Sequence, residues 1–125
     1  MVKRKVLFVD DDESIRDLFR IIFERAGYEI VIESDSHNIL EDNYDLPDIF
    51  LLDRQLSGPD GLITCNYIKT SPKTRDIPVI LISASPDIKA LSRSAGADGF
   101  IEKPFNIDDL LKTVDMHLLK IVSSP

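Results

Sequence analysis

Five short stretches rich in branched apolar residues recur along this chain, and between them apolar residues fall at helical spacing. No other feature narrows the fold as much. Strand-like runs alternating with helix-like segments imply a parallel sheet covered by helices, because a parallel pair needs a long crossover connection. The expected strands are Lys5 to Asp10, Glu29 to Glu33, Asp48 to Asp53, Ile77 to Ser83 and Gly99 to Glu102. Three of them contain VLFV, IFLL and VILI, continuous apolar runs that belong in the middle of a sheet buried on both faces. YEIVIE alternates at its ends and GFIE is very short, so both suit edge positions.

Between the strands, Ile15, Leu18, Phe19, Ile22 and Ala26 share a helical face, and Gly27 falls where a left-handed cap belongs. A second helix around Ser36 to Asn43 has only Ile39 and Leu40 as apolar anchors, which predicts a short or irregular element. Leu62, Cys65 and Ile68 mark a third, ending before Pro72. Ser85, Pro86 and Asp87 supply the N-cap, first-turn proline and early acid of a fourth, which Ala95 and Gly96 close. The last has Asn106 as its cap and Ile107, Leu110, Leu111, Val114, Leu118 and Ile121 on one face. The expected fold is α/β, a doubly wound (βα)5 unit with strand order 2-1-3-4-5 and right-handed crossovers.

With 125 residues, 43% of them hydrophobic, the chain suffices for one domain spanning 1–125 with a core of its own. It contains no apolar run of membrane-spanning length, and its start, MVKRKVLFVDDD, is unlike a signal peptide, so the expected location is cytoplasmic and no membrane is involved. The single cysteine, Cys65, fits a reducing compartment and a small buried side chain. A net charge of −7 disfavours direct contact with nucleic acid, whose phosphates would be repelled, and suits a cation or a protein partner. His37 and His117 are far apart in sequence and are expected at the surface.

In a doubly wound sheet, ligands bind beyond the carboxyl ends of the strands. Those ends read Asp10 with Asp11, then Asp53, then Ser83, and Lys103 follows the last strand. Carboxylates about 4 Å apart repel by roughly 4 kcal/mol at an effective dielectric near 20. A hard divalent cation such as Mg²⁺, which keeps several waters, offsets that repulsion. A hydroxyl and an ammonium nearby suit phosphoryl oxygens, and a carboxylate can itself be the nucleophile. Each residue also has a plainer reading: Asp12 as a helix cap, Asp10 and Asp11 as partners of a helix dipole, Ser83 as a strand-end hydroxyl, Lys103 as a solvated lysine. Only the joint pattern, four strands each ending in a group one phosphoryl site requires, points further.

FVDDDESIR, LLDRQLSGPDG, LISAS and DGFIEKPF together resemble the motifs of the receiver domain of two-component response regulators, over essentially the whole chain. The resemblance implies a flavodoxin-like, CheY-like fold and a signalling domain rather than a conventional enzyme, one that catalyses its own phosphorylation and dephosphorylation. It implies Asp53 as phosphoacceptor, with Asp10, Asp11, Asp53 and the backbone carbonyl of Gln55 holding Mg²⁺. Ser83 and Lys103 are then phosphoryl contacts, and Ser83 and Phe100 the switch pair. Gln55 and Ser85 fall beside the site, and the Lys103–Pro104 peptide is often cis in such domains. The implied partners are a sensor histidine kinase or histidine phosphotransfer protein, and a downstream protein or second copy bound through helix 4, strand 5 and helix 5. Ser57 stands where proline is usual, with Pro59 two residues later, and Arg54 is an unusual bulky cation directly after the phosphoacceptor. Little sequence follows the last helix, so no output domain is expected in it.

Two other readings compete. DDDES also resembles the signature of haloacid-dehalogenase-type phosphatases, with Asp10 as nucleophile and Asp12 as acid, but that leaves Asp53 unexplained. An unphosphorylated interaction module on the same fold would have no use for the full set of Asp11, Asp53, Ser83 and Lys103.

Overall fold

The alternation in the sequence becomes ten elements in strict βα order: β1 (Lys5–Val9), α1 (Glu13–Arg25), β2 (Glu29–Glu33), α2 (His37–Leu40), β3 (Ile49–Asp53), α3 (Gly61–Thr70), β4 (Val79–Ser83), α4 (Ile88–Ala95), β5 (Gly99–Glu102) and α5 (Ile107–Val122). The structure is a computed structural model describing residues 3–55 and 60–122. Ser57 and Pro59, which follow β3 in the sequence, lie outside the described residues, as does the side chain of Ile121. All strand pairs are parallel, in the order β2-β1-β3-β4-β5.

Strand periodicity divides the core in two. Val6, Phe8, Ile49, Leu51, Ile80 and Ile82 pack on one face against α1 and α5. Their neighbours Leu7, Val9, Phe50, Leu52, Val79 and Leu81 pack on the other against α2, α3 and α4. Successive side chains point to opposite faces, so a continuous apolar run serves both layers. Phe19 of α1 stacks on Phe8 with ring centroids 4.0 Å apart and meets Phe105 edge-on. Such a pair adds about 0.5–1.5 kcal/mol beyond the area it buries.

Most helix ends follow local chemistry, although the caps of α2 and α4, Ser36 and Asp87, make no side-chain bond to their helices. Asp12 caps α1 by accepting the Ile15 N–H at 3.1 Å, so the plainer reading of this acid holds. Gly27 and Gly96 both have positive φ, which a side chain would strain. Asn106 accepts the Asp109 N–H at 2.7 Å at the start of α5. α2 is a single turn anchored by the fully buried Ile39. The cap of α4 is Asp87 rather than Ser85, so the helix begins two residues later than expected.

Other departures are local. In α1 the buried stripe is Phe19, Ile22 and Phe23, while Leu18 is exposed. Residues 15, 19 and 22 serve two overlapping stripes, and the sheet selects the one through Phe23. Ile107 is likewise exposed at the first turn of α5, whereas Leu110, Val114 and Leu118 are buried. Cys65 is fully buried, which pushes its thiol up to about 12. His37 is exposed, but His117 is half-buried, its ring nitrogens facing the carbonyls of Thr113 and Asp98 at 2.8 and 3.2 Å. The lack of a side chain at Gly99 leaves room for that ring: a Cβ there would stand 2.9 Å from it.

Candidate functional site

Register carries the strand-end residues to one edge. Val9 pairs with Leu52, Asp53 with Ile82, and Ser83 with Glu102, so Asp10, Asp53, Ser83 and Lys103 close four neighbouring strands. Asp10, Asp53 and Ser83 are all buried, at 3%, 5% and 2% exposure. Burying two carboxylates and a hydroxyl is costly unless each has a partner, and each has one. Lys103 donates from Nζ to Asp53 Oδ2 at 2.8 Å. The Gln55 N–H donates to Asp53 Oδ1 at 2.8 Å. The Asp12 N–H donates to Asp10 Oδ1 at 2.8 Å, and Ser83 Oγ accepts the Ser85 N–H at 2.9 Å.

Asp10 is the electrostatically strained member. Burial pushes its carboxyl up to about 7, and Asp53, close enough to share a hydrogen bond with it, adds to the rise. The Asp12 N–H and the charge of Lys103 oppose it without cancelling it. Two carboxylates thus face one ammonium, a deficit of positive charge in a site open to solvent at Asp11, which is exposed. Among the described residues no three His, Cys, Asp or Glu side chains are grouped so as to hold a metal ion. This donor set suits a hard cation that keeps much of its water, and not one that needs an all-protein cage.

Several supporting residues escaped the sequence reading. Arg16, one turn into α1, donates from Nη1 to the Asp10 carbonyl at 3.0 Å and fixes the backbone beneath the acids. Gly61 packs over the Asp53 backbone so closely that a Cβ would lie 2.4 Å from the Asp53 carbonyl oxygen. The only hint was an Asp-Gly pair, and Asp60 does cap α3 through the N–H groups of Leu62 and Ile63. Arg54 is half-buried, and among the described residues its Nε has no partner. Phe100 is half-buried against the α2–α3–α4 layer, and Lys103–Pro104 is cis.

A groove of about 450 Å³ opens beside Asp10 and Lys103, walled by Ile15, Leu18, Phe19, Pro104 and Phe105. A larger one, about 600 Å³, is lined by Asp42, Tyr44, Leu46 and Pro72 at the opposite end of the sheet and contains none of the strand-end groups. We attach function to the former, because Asp10 and Lys103 of the strand-end cluster line it.

Residues 6–115 match the response regulator receiver domain family. This chain belongs to that family. Among solved structures, a chain described as a response regulator from Chloroflexus aurantiacus J-10-fl is 30% identical, with a TM-score of 0.87, the match covering 94% of this chain and 99% of that one. The signal receiver domain of a signal transduction histidine kinase from Syntrophus aciditrophicus is 26% identical over 98% of this chain and 95% of its own, with a TM-score of 0.88. The chemotaxis response regulator CheY4 of Vibrio cholerae is 27% identical over 92% and 98%, with a TM-score of 0.83. The receiver domain therefore has the CheY-like fold and is a signalling domain rather than a conventional enzyme. Among the described residues no helix is long and apolar enough to cross a membrane.

Proposed function

We propose that this receiver domain, the whole of residues 1–125, accepts a phosphoryl group on Asp53 from a histidine kinase or histidine phosphotransfer protein. The observation that carries the reading is the buried Asp53 carboxylate held at 2.8 Å by Lys103 and at 2.8 Å by the Gln55 N–H. A carboxylate oriented at both oxygens is placed for in-line attack, and an ammonium beside it meets the charge that develops on the phosphoryl oxygens. In the transfer, the phosphorus–nitrogen bond of the donor breaks as an Asp53 oxygen–phosphorus bond forms, and the imidazole leaves with a proton. Attack by water on the phosphorus then breaks the Asp53 oxygen–phosphorus bond and returns the carboxylate and inorganic phosphate, so the domain catalyses both steps on itself.

Asp10, Asp11, Asp53 and the carbonyl of Gln55 would hold Mg²⁺, and the two buried carboxylates of Asp10 and Asp53 beside the single ammonium of Lys103 are the feature that fits such an ion. When bound, the ion supplies charge neutralisation for the transferred group. Lys103 stays on the phosphoryl oxygens, and the Ser83 hydroxyl turns to join it. Phe100 follows into the space this opens, and the α4, β5 and α5 face changes shape for a downstream protein or a second copy. The apolar groove beside Asp10 and Lys103 supports a donor that is itself a protein, docked next to the acids. A cytoplasmic location agrees with such partners.

Incubation with acetyl phosphate and Mg²⁺, followed by intact-mass measurement, tests the reading. Wild type gains one phosphoryl group, and Asp53→Asn or removal of Mg²⁺ abolishes the gain. Equal labelling of wild type and Asp53→Asn contradicts it.

A further inference from the structure

α4 starts later than its own sequence invites. A residue before proline is held out of the helical region, where an N-cap belongs, and proline is favoured at the first helical position because its missing N–H leaves nothing unbonded. Ser85, Pro86 and Asp87 thus form a ready-made cap, first position and early acid. The structure uses none of these roles. α4 begins at Ile88, and Asp87 stands as its cap with φ −102 and ψ 19 and no side-chain bond to the helix. The caps Asp12 and Asp60 are extended, with ψ of 116 and 170, and both accept helix N–H groups.

The carboxylate of Asp87 is occupied elsewhere: it accepts the hydroxyl of Ser85. That bond, and more weakly the charge of Arg54, holds its carboxyl below the usual range, so it is ionised at neutral pH. The Ser85 N–H in turn donates to Ser83 Oγ at 2.9 Å. A chain of contacts therefore runs from the strand-end hydroxyl through Ser85 to the start of α4. The turn is already closed by the Ile88 N–H on the Ser85 carbonyl at 3.2 Å, so an earlier start needs chiefly a rotation of the Ser85 side chain.

We propose that residues 85–88 form a two-position switch: the observed late start, in which Asp87 holds Ser85 and Ser85 holds Ser83, gives way to an early start capped by Ser85 when Ser83 turns to a phosphoryl group on Asp53. The inference rests on Asp53 being the phosphoacceptor and adds how the phosphoryl group is read. When Ser83 moves, the Ser85 N–H loses its partner and the loop is freed. Ser85 Oγ then accepts the N–H of Asp87 or Ile88. Asp87 becomes a first-turn acid, favoured by the dipole of the helix. Each arrangement satisfies nearly the same groups, so the two are close in free energy and a local event suffices to exchange them. The outcome is an α4 longer by two residues at the end next to the site.

Backbone chemical shifts and amide exchange of the full chain test this. Unmodified wild type shows non-helical shifts at Pro86 and Asp87, and wild type labelled with acetyl phosphate and Mg²⁺ shows helical shifts at both. Asp87→Ala, which releases Ser85, shows a helical signal at Pro86 with no phosphodonor. Ser85→Ala takes label on Asp53 but keeps Pro86 and Asp87 non-helical. A labelled wild type with a non-helical Pro86, or a Ser85→Ala protein that lengthens α4 as wild type does, overturns the switch. If wild type takes no label, the phosphoacceptor reading falls on its own. The Asp87→Ala spectrum then decides the switch: a helical Pro86 supports the two starts, and its absence overturns them.

Discussion

α1 and α4 both begin just after an inner strand that ends at the site, yet they are held very differently. At α1, Asp12 caps the helix, Glu13 lies in its first turn, Asp10 binds the cap's own N–H, and Arg16 grips the Asp10 carbonyl. Beneath them Phe19, Ile22 and Phe23 are buried, with Phe19 stacked on Phe8. At α4 the cap makes no side-chain bond, and the buried anchors are Ile88, Ser92 and Ala95, of which only Ile88 is large. The acidic side of the site is thus fixed to the core, and the hydroxyl side is lightly tied. A phosphoryl switch needs this asymmetry: the groups that position the reaction must stay, and the group that reports it must move.

The contrast can be broken most directly in the core. Phe19→Ala should cost about 3–5 kcal/mol, as for other buried aromatic truncations. Ile88→Ala should cost less, because its surroundings shift with the short helix. Denaturant unfolding compares the two, and a larger loss at Ile88 would remove the distinction.

A smaller effect concerns pH. The Asp10 carboxyl titrates at about 7 in the folded chain against an ordinary 3.8, so the folded state binds its proton more tightly than the unfolded one. Its contribution to stability is therefore full below the ordinary value, falls as pH rises toward about 7, and stays low above that. In chelator, the midpoint of thermal unfolding should drop between pH about 4 and about 7, and Asp10→Asn should flatten the drop. A drop of the same size in Asp10→Asn would assign it to other groups.

The smallest effect compares the caps themselves. Asp12→Ala should lose about 1 kcal/mol, the usual value of an N-cap side chain. Asp87→Ala should lose only a few tenths, since its carboxylate does not cap α4. Equal losses would mean that the two starts are held alike.

The sheet was legible in the sequence because each of its three inner strands carries four consecutive apolar residues, a pattern that two-faced burial explains. Their carboxyl ends followed, and with them the meeting of Asp10, Asp53, Ser83 and Lys103. What stayed hidden depends on contacts between distant segments. The exposure of Leu18 is decided by where α1 sits on β1, which local spacing does not encode. Gly61 matters because the chain returns onto Asp53, and His117 is half-buried because Gly99 makes room for it. The start of α4 is a different case: its sequence signal is sound, but Asp87 holds the Ser85 hydroxyl while Ser83 holds the Ser85 N–H.

The central claim is that these strand ends form one phosphoryl-accepting pocket with Asp53 as its nucleophile. Borohydride trapping of the acyl phosphate, followed by peptide mapping of chain labelled by acetyl phosphate in Mg²⁺, tests it most directly. The account predicts modification at residue 53 alone, lost on chelation. Modification at Asp10, or at residue 53 regardless of the metal, would contradict it.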